Sequence, residues 1–284
     1  MGTANAYNET YTYDPNGNIA QIIRNNDAGV LLDKLEYNYG TTNLTSTPDI
    51  NDWALTNNKL SGVTQKNTST VAGMFTTSTY SYDAIGNLAK DDAEGIYNIE
   101  WNAYGKISKI TRATGSQKSD LEFIYDAMGN RVCKIEKPYN LTSTDWKYTF
   151  YVRDASGNIM TTYTKTGSEI ENNVLKLDEV MLYGSGRIGT REIGVGLTSI
   201  TIPTVKFSRT LGLKRYEIGN HLGNVLTTFT DRKYQIQNTG VVTGYKTYIA
   251  SAQDYYPFGM IMNERKWNTS GYRFDSTVKK MIMK

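Results

Sequence analysis

The chain has 284 residues, a formal net charge of +3 and a mean hydropathy of −0.50. This mild charge of mixed sign predicts no nucleic-acid partner, and no stretch approaches the roughly 18 apolar residues of a membrane span. One cysteine, Cys133, excludes an internal disulfide, and one histidine, His221, excludes a metal site built on two histidines. We therefore expect no cofactor and no metal. The 22 tyrosines and 25 glycines favour a hairpin-rich β protein instead.

The first predicted element is a β-hairpin over residues 11–19. Tyr11 and Tyr13 flank a threonine, which is the alternation of a strand with one buried face. Asp14 can accept hydrogen bonds from backbone N–H groups ahead of it, and Gly17 can take the positive φ of a three-residue loop. Asn18 then begins the return strand.

This pattern recurs along the chain at irregular spacing, which indicates a degenerate repeat. Two looser copies lie at 37–44, where Gly40 replaces the aspartate, and at 99–107, where Trp101, Asn102 and Gly105 keep the frame. The fourth full copy has Arg153 at the second aromatic position. Beyond the first hairpin, the repeat residues are Tyr80, Tyr82, Asp83, Gly86 and Asn87, then Tyr125, Asp126, Gly129 and Asn130, then Asp154, Gly157 and Asn158.

Between the regular copies the sequence is less repetitive. Residues 46–74 are rich in Thr, Asn and Ser and predict a long exposed excursion. Residues 199–207 alternate like a strand, in which Pro203 implies an edge position or a break. The string at 184–189 fits the G-x-G-x-x-G dinucleotide fingerprint, but the glycines and β-branched residues after it make a poor helix. We predict a glycine-rich hairpin turn there.

After residue 215 two new blocks follow. One contains His221, Gly223 and Asn224, and the other is Tyr255-Tyr-Pro-Phe-Gly-Met260, in which the block residues are Tyr256, Pro257, Phe258 and Gly259. With the Tyr-Asp units before them, these blocks resemble the YD repeats and repeat-associated core of bacterial RHS proteins over residues 7–274. The resemblance divides the chain into a repeat array at 1–215, a core segment at 216–274 and a divergent tail at 275–284.

The resemblance implies an all-β fold of antiparallel hairpins that forms part of a curved, spiralling, shell-like sheet, incomplete and not closed. Similar proteins enclose a C-terminal toxin domain in such a shell, with an immunity protein as a further partner, and are secreted or displayed at the cell surface. The chain's first residues lack the basic and apolar regions of a signal peptide, so we expect a cytoplasmic location if it is expressed alone. Open strand edges predict self-association.

The tail departs from the family, whose members continue Gly-Phe-Asn-Gly-Lys-Glu-Asn-Asp-Asn-Glu where this chain has Asp275-Ser-Thr-Val-Lys-Lys-Met-Ile-Met-Lys284. One nucleotide sequence encodes both strings in adjacent frames. We hypothesise a one-nucleotide deletion after the Phe274 codon, which would place the cleavage segment and the toxin outside this chain.

No catalytic residue is assigned. We expect His221 to be a structural hydrogen-bonding residue at its corner, and Asp14, Asp83, Asp126 and Asp154 to recur because turns need them. The competing functional class is a cell-surface adhesion or carbohydrate-binding module, and a third is an enzyme within this chain, which the lack of a non-repeat domain opposes. A sugar-stacking face would use tryptophans, which are Trp53, Trp101, Trp146 and Trp267.

Overall fold

The computed structural model describes residues 3–40, 58–67, 76–168, 174–197 and 209–268. Antiparallel strands dominate these residues, so the all-β prediction is confirmed. The strands are β1 Glu9–Tyr13, β2 Ile19–Asn25, β3 Leu31–Tyr39, β4 Leu60–Gln65, β5 Ser78–Tyr82, β6 Leu88–Asp91, β7 Ile96–Trp101, β8 Ile107–Arg112, β9 Asp120–Tyr125, β10 Arg131–Lys137, β11 Lys147–Arg153, β12 Ile159–Thr166, β13 Leu175–Tyr183, β14 Arg187–Leu197, β15 Lys214–Gly219, β16 Val225–Asn238, β17 Val241–Tyr255 and β18 Ile261–Asn268.

The chain divides into two compact units, Met1–Ile124 with Ile135–Leu141 and Tyr125–Lys134 with Thr142–Lys284. In the first unit each strand from β1 to β9 pairs with the next along the chain, and in the second unit β11 to β18 do the same. This is an antiparallel meander, in which every second turn lies along the same edge of the sheet.

Alternating aliphatic residues form two small cores in the first unit. Ile22, Leu35 and Val63 pack together on β2, β3 and β4, and half-buried tyrosines of neighbouring strands pack against them. Ile96, Ile99 and Ile110 form the second cluster, against which Trp101 packs. Each fully buried aliphatic side chain stabilises the fold by about 1.5–3 kcal/mol relative to an exposed one.

Polar groups are also buried, and nothing in the sequence pattern indicated them. In the first unit Arg24 donates from Nη2 to Asp33 Oδ2 at 2.9 Å, and Gln65 Nε2 donates to Asp33 Oδ1 at 2.7 Å. In the second unit Thr228 and Ser251 share a hydrogen bond at 2.7 Å between hydroxyls that are shielded from solvent. These hydrogen bonds offset the cost of removing the groups from water.

The exposed excursion expected over 46–74 is wrong for part of its length. Residues 60–65 form β4, which pairs with β3, and Val63 is only 2% exposed. The remainder of the excursion lies mostly outside the described residues, as do the strand expected at 199–207 and the tail at 275–284. The boundary expected at residue 215 stays a prediction.

The glycine string at 184–189 is a hairpin turn between β13 and β14, as the sequence predicts. Gly184 N donates to Gly186 O at 2.8 Å, and β14 begins at Arg187, where a nucleotide site would need a helix. Gly189 has a different role, because a Cβ atom there would lie 1.9 Å from the carbonyl oxygen of Arg215 on β15. Its lack of a side chain allows the two strands to approach.

Candidate functional site

The repeated feature of this chain is a five-residue loop, which we call a corner, with positions one to five. In the corner at 83–87, the Asp83 N–H donates to Asn87 O at 2.9 Å, and the Gly86 N–H donates to Asp83 O at 3.1 Å. Gly86 has a φ of +96°, and the register of the hairpin shifts between Ser81 and Tyr82. These features identify a type I turn followed by a one-residue bulge, which is the loop that the sequence predicts.

The aspartate at position one holds the corner together through both carboxylate oxygens. Asp83 Oδ1 accepts from the N–H groups of Ile85 at 3.0 Å and Asn87 at 2.8 Å. The second oxygen accepts from the side chain of the asparagine at position five in all four aspartate corners. These pairs are Asn18–Asp14 at 2.8 Å, Asn87–Asp83 at 2.9 Å, Asn130–Asp126 at 3.3 Å and Asn158–Asp154 at 2.9 Å.

This hydrogen bonding explains why Asp and Asn occur together in the repeat. The side-chain N–H₂ group of the asparagine at position five needs an acceptor. At position one an aspartate carboxylate has a second oxygen that can accept this hydrogen bond, whereas an asparagine amide has only one oxygen. Hydrogen bonds from the Asn158 side chain and backbone hold the pKa of Asp154 below its ordinary value. The backbone hydrogen bond from Asn130 has the same effect on the pKa of Asp126. Both carboxylates are therefore stabilised in the charged form.

Asparagine can replace the aspartate at position one. Asn102 Oδ1 accepts from the N–H groups of Tyr104 and Lys106, each at 3.0 Å. Sequence reasoning missed a further corner at 26–30, where Asn26 Oδ1 accepts from Ala28 N at 3.0 Å and Val30 N at 2.9 Å. The available signal was a polar residue followed three positions later by a glycine.

The two blocks of the predicted core segment are corners as well. Asn220 occupies position one of the first block, and its Oδ1 accepts from Leu222 N and Asn224 N, each at 3.0 Å. His221 lies exposed at position two and makes no hydrogen bond to the described residues, so its bonding role stays a prediction, and Asn220 is the residue whose side chain closes this corner. In the second block Tyr256 N donates to Met260 O at 2.7 Å, with Pro257 at position two.

At many corners the residue immediately before the corner forms a link between hairpins. We call it the clamp residue, since its side chain donates to the carbonyl oxygen of the first residue after the preceding corner on the same edge. Such bonds join Tyr39 to Ile19 at 3.1 Å, Tyr82 to Leu60 at 2.8 Å, Trp101 to Leu88 at 2.8 Å, Arg153 to Arg131 at 3.2 Å, Tyr183 to Ile159 at 2.8 Å and Tyr255 to Val225 at 2.8 Å.

The clamps explain why the second aromatic position of the repeat carries side chains that can donate a hydrogen bond, and why arginine can replace tyrosine there. Arg153 performs the tyrosine's role with a guanidinium, and it also donates from Nη1 to Gly157 O at 2.6 Å. In the looser copy Gly40 N donates to Lys59 O at 3.1 Å, so the corner after Tyr39 closes across a long insertion. The spacing of the repeat is irregular because the turns on the opposite edge differ in length.

The clamp tyrosines are neutral hydrogen-bond donors. Burial raises the pKa of Tyr39 to about 12, with a contribution from the neighbouring Tyr37. Burial also raises the pKa of Tyr82, which the hydrogen bond to Leu60 partly opposes. Both phenols therefore keep their protons at pH values where a free tyrosine ionises, and the clamp hydrogen bonds persist.

Aromatic residues are distributed between packing and exposure. Trp101 is half-buried and bonded as a clamp, Trp146 is half-buried, and Trp267 is 51% exposed. Trp53 lies outside the described residues. At the corner tips, position three carries exposed apolar side chains such as Ile85 and Met128.

Within the described ranges no group of three or more His, Cys, Asp and Glu side chains could hold a metal ion. Across the same ranges, the structure contains no helix long and apolar enough to cross a membrane. Cys133 lies buried on β10, and burial raises the pKa of its thiol.

No family model and no curated protein matches this chain. The chain is similar to the crystal structure of TcdB2-TccC3-TEV, at 12% identity and a TM-score of 0.36, over 96% of this chain and 15% of that one. It is also similar to TcdB2-TccC3 without its hypervariable C-terminal region, at 13% identity and a TM-score of 0.45, over 95% of this chain and 12% of that one. At these values the likeness identifies neither a family nor a function.

Proposed function

We propose that this chain is a non-enzymatic wall segment of an RHS-type shell, whose role is to build a continuous sheet from hairpins. The single observation that carries the proposal is the set of clamp hydrogen bonds, which tie hairpins to the ones before them along one edge. The repeat residues have structural roles: the aspartates accept hydrogen bonds from backbone N–H groups, and second aromatic residues such as Tyr82 and Trp101 join neighbouring hairpins. A repeat of this kind stabilises the sheet of the shell wall.

In the longer parent protein the shell would enclose a C-terminal toxin domain, paired with an immunity protein. This part of the proposal depends on the resemblance of the Tyr-Asp units and the Tyr-Pro-Phe-Gly block to RHS proteins. The parent would be secreted or displayed at a bacterial surface. Enclosure demands an uninterrupted sheet, since an open strand edge recruits other chains, and clamps between successive hairpins supply that continuity.

The alternative, an adhesion or carbohydrate-binding module, needs a contiguous row of exposed aromatic rings. The packing of the repeat tyrosines favours the wall instead, because Tyr11, Tyr37 and Tyr80 pack against the cluster of Ile22, Leu35 and Val63. Trp101 packs against the second cluster. Rings that pack against a core are not available to stack on a sugar.

Two experiments test this function. The nucleotide sequence of the locus, read in all frames, should show RHS-like sequence resuming out of frame downstream of the Phe274 codon. A glycan array probed with the purified chain should show no specific binding. Specific binding to one glycan class, abolished by Trp267→Ala, together with no RHS-like sequence in any frame, would replace the wall with the adhesion module.

A further inference from the structure

The hairpin of β16 and β17 extends beyond its neighbours in the sheet. β15 pairs with β16 only from Val225 to Thr230, and β18 pairs with β17 only from Ser251 onward. Outside these spans the two strands pair with each other alone among the described residues. We call the extended part, residues 232–238 and 241–249, the outer ribbon.

The outer ribbon keeps its conformation through its own contacts. Thr239 and Gly240 have φ values of +48° and +82°, as a two-residue hairpin turn requires. On one face the rings of Tyr234 and Tyr248 lie 5.2 Å apart. Ile236 covers the backbone of Gly244, since a Cβ atom there would be 3.6 Å from Ile236 Cδ1. A two-stranded ribbon is only marginally stable by itself, so a third strand would stabilise it.

The β16 edge of the ribbon offers a position for that strand. The last pair between β15 and β16 joins Arg215 to Thr230, and just before β15 the Gly212 N–H donates to Asp231 Oδ1 at 2.6 Å. No strand of the described chain continues along β16 from Arg232 to Asn238. The position is thus an extension of the line that β15 already occupies, with the same antiparallel pairing to β16.

Charge indicates which occupant fits. The outer ribbon carries Arg232, Lys233 and Lys246, and residues 232–249 contain no aspartate or glutamate. The three cations are exposed to solvent, as are Tyr234 at 52% and Tyr245 at 62%. A second copy of the ribbon would bring its own cations to the edge and be repelled. An acidic strand would be attracted.

We propose that the β16 edge of the outer ribbon binds an extended peptide segment of alternating acidic and apolar residues, which joins the sheet as an added strand. The backbone of the segment pairs with β16, its carboxylates lie on the face that carries Lys233, and its apolar side chains contact Tyr234 and Ile236 on the opposite face. Single-stranded nucleic acid could also stack on tyrosines near cations, but it has no backbone groups that match a strand edge.

The first test uses the full chain and three probes: a fluorescent ten-residue peptide of alternating glutamate and valine, the same peptide N-methylated at every second residue, and oligothymidylate. Fluorescence anisotropy should show saturable binding of the unmodified peptide, weakened by salt. N-methylation leaves the charge unchanged and removes strand donors, so it should abolish binding. Equal binding of the two peptides, or binding of oligothymidylate alone, would overturn the proposal.

The second test reverses the charge of the edge. The double variant Arg232→Glu with Lys233→Glu should lower the affinity for the peptide by about tenfold or more, because two positive charges at the edge become negative and repel the acidic segment. Lys147→Glu is the control, since Lys147 is exposed on β11, and it should leave affinity within about twofold. An equal effect of the control and the double variant would show non-specific attraction and contradict the site.

Discussion

The substitution Tyr82→Phe removes one clamp and leaves the ring in place. The phenol donates to Leu60 O at 2.8 Å across 22 residues of sequence, and both residues are half-buried. Loss of such a hydrogen bond costs about 1 kcal/mol, and a carbonyl left without its partner and partly shielded from water raises the cost towards about 2 kcal/mol. We therefore expect the free energy of unfolding to fall by about 1–2 kcal/mol.

The assay is urea unfolding followed by tryptophan fluorescence, with Tyr104→Phe as the matched control. Tyr104 is 73% exposed at a corner tip, and its hydroxyl makes no hydrogen bond to the described residues. Its loss should change the free energy of unfolding by less than about 0.5 kcal/mol. If the two variants unfold at the same urea concentration, the hydrogen bond between Tyr82 and Leu60 contributes nothing to the free energy of unfolding, which would contradict the role of the clamp.

Four further outcomes are expected. Gly129 has a φ of +78° and open space around it, so Gly129→Ala should lower the free energy of unfolding by about 1–2 kcal/mol through backbone strain. Gly186 lacks a positive φ, so Gly186→Ala should lower it by under about 0.5 kcal/mol in the same urea assay. Gly189→Ala should be the most destabilising of the three in thermal melts, because its Cβ meets the Arg215 carbonyl; a melt like wild type would refute that close approach. The lowered pKa of Asp154 contributes stability that is present above the unfolded pKa of about 3.9 and is lost as pH falls through the folded pKa. The variant Asp154→Asn should therefore lose less stability than the wild type in an acid titration. An unchanged loss of stability in acid would contradict this role of Asp154. Sedimentation velocity at rising concentration should reveal reversible self-association through open strand edges, and a monodisperse monomer throughout would count against it.

The corners could be predicted because their specification is local. An aspartate, a glycine three residues later and an asparagine after it determine a loop through hydrogen bonds within five residues. The corner at 26–30 was not predicted because no aromatic pair precedes Asn26 and position five of this corner is not an asparagine. Its geometry needs only the polar acceptor and the glycine.

The clamps could not be predicted in full. The sequence indicates that Tyr82 is half-buried, but the carbonyl that it reaches belongs to a hairpin 22 residues earlier. That distance depends on the lengths of the turns on the opposite edge, which follow no repeat. The buried pair of Arg24 and Asp33 escaped for a similar reason, because cross-strand register decides whether two charges meet.

β4 was expected to be part of an exposed loop because the polar composition of residues 46–74 hid the short apolar pattern within the strand. The residues around it are rich in Thr, Asn and Ser, and only Leu60 and Val63 are large apolar residues within the strand. Pairing with β3 across the long insertion after Gly40 buries Val63 in the core. Non-local pairing of this kind leaves no local signal in the sequence.

Electron cryomicroscopy of the longest natural protein that contains this hairpin array tests the central claim most directly. We expect residues 76–168 to form part of a continuous β wall around an enclosed domain, with the clamp residues between successive hairpins. An isolated module with no enclosed density, and with its repeat tyrosines on an open face, would contradict it.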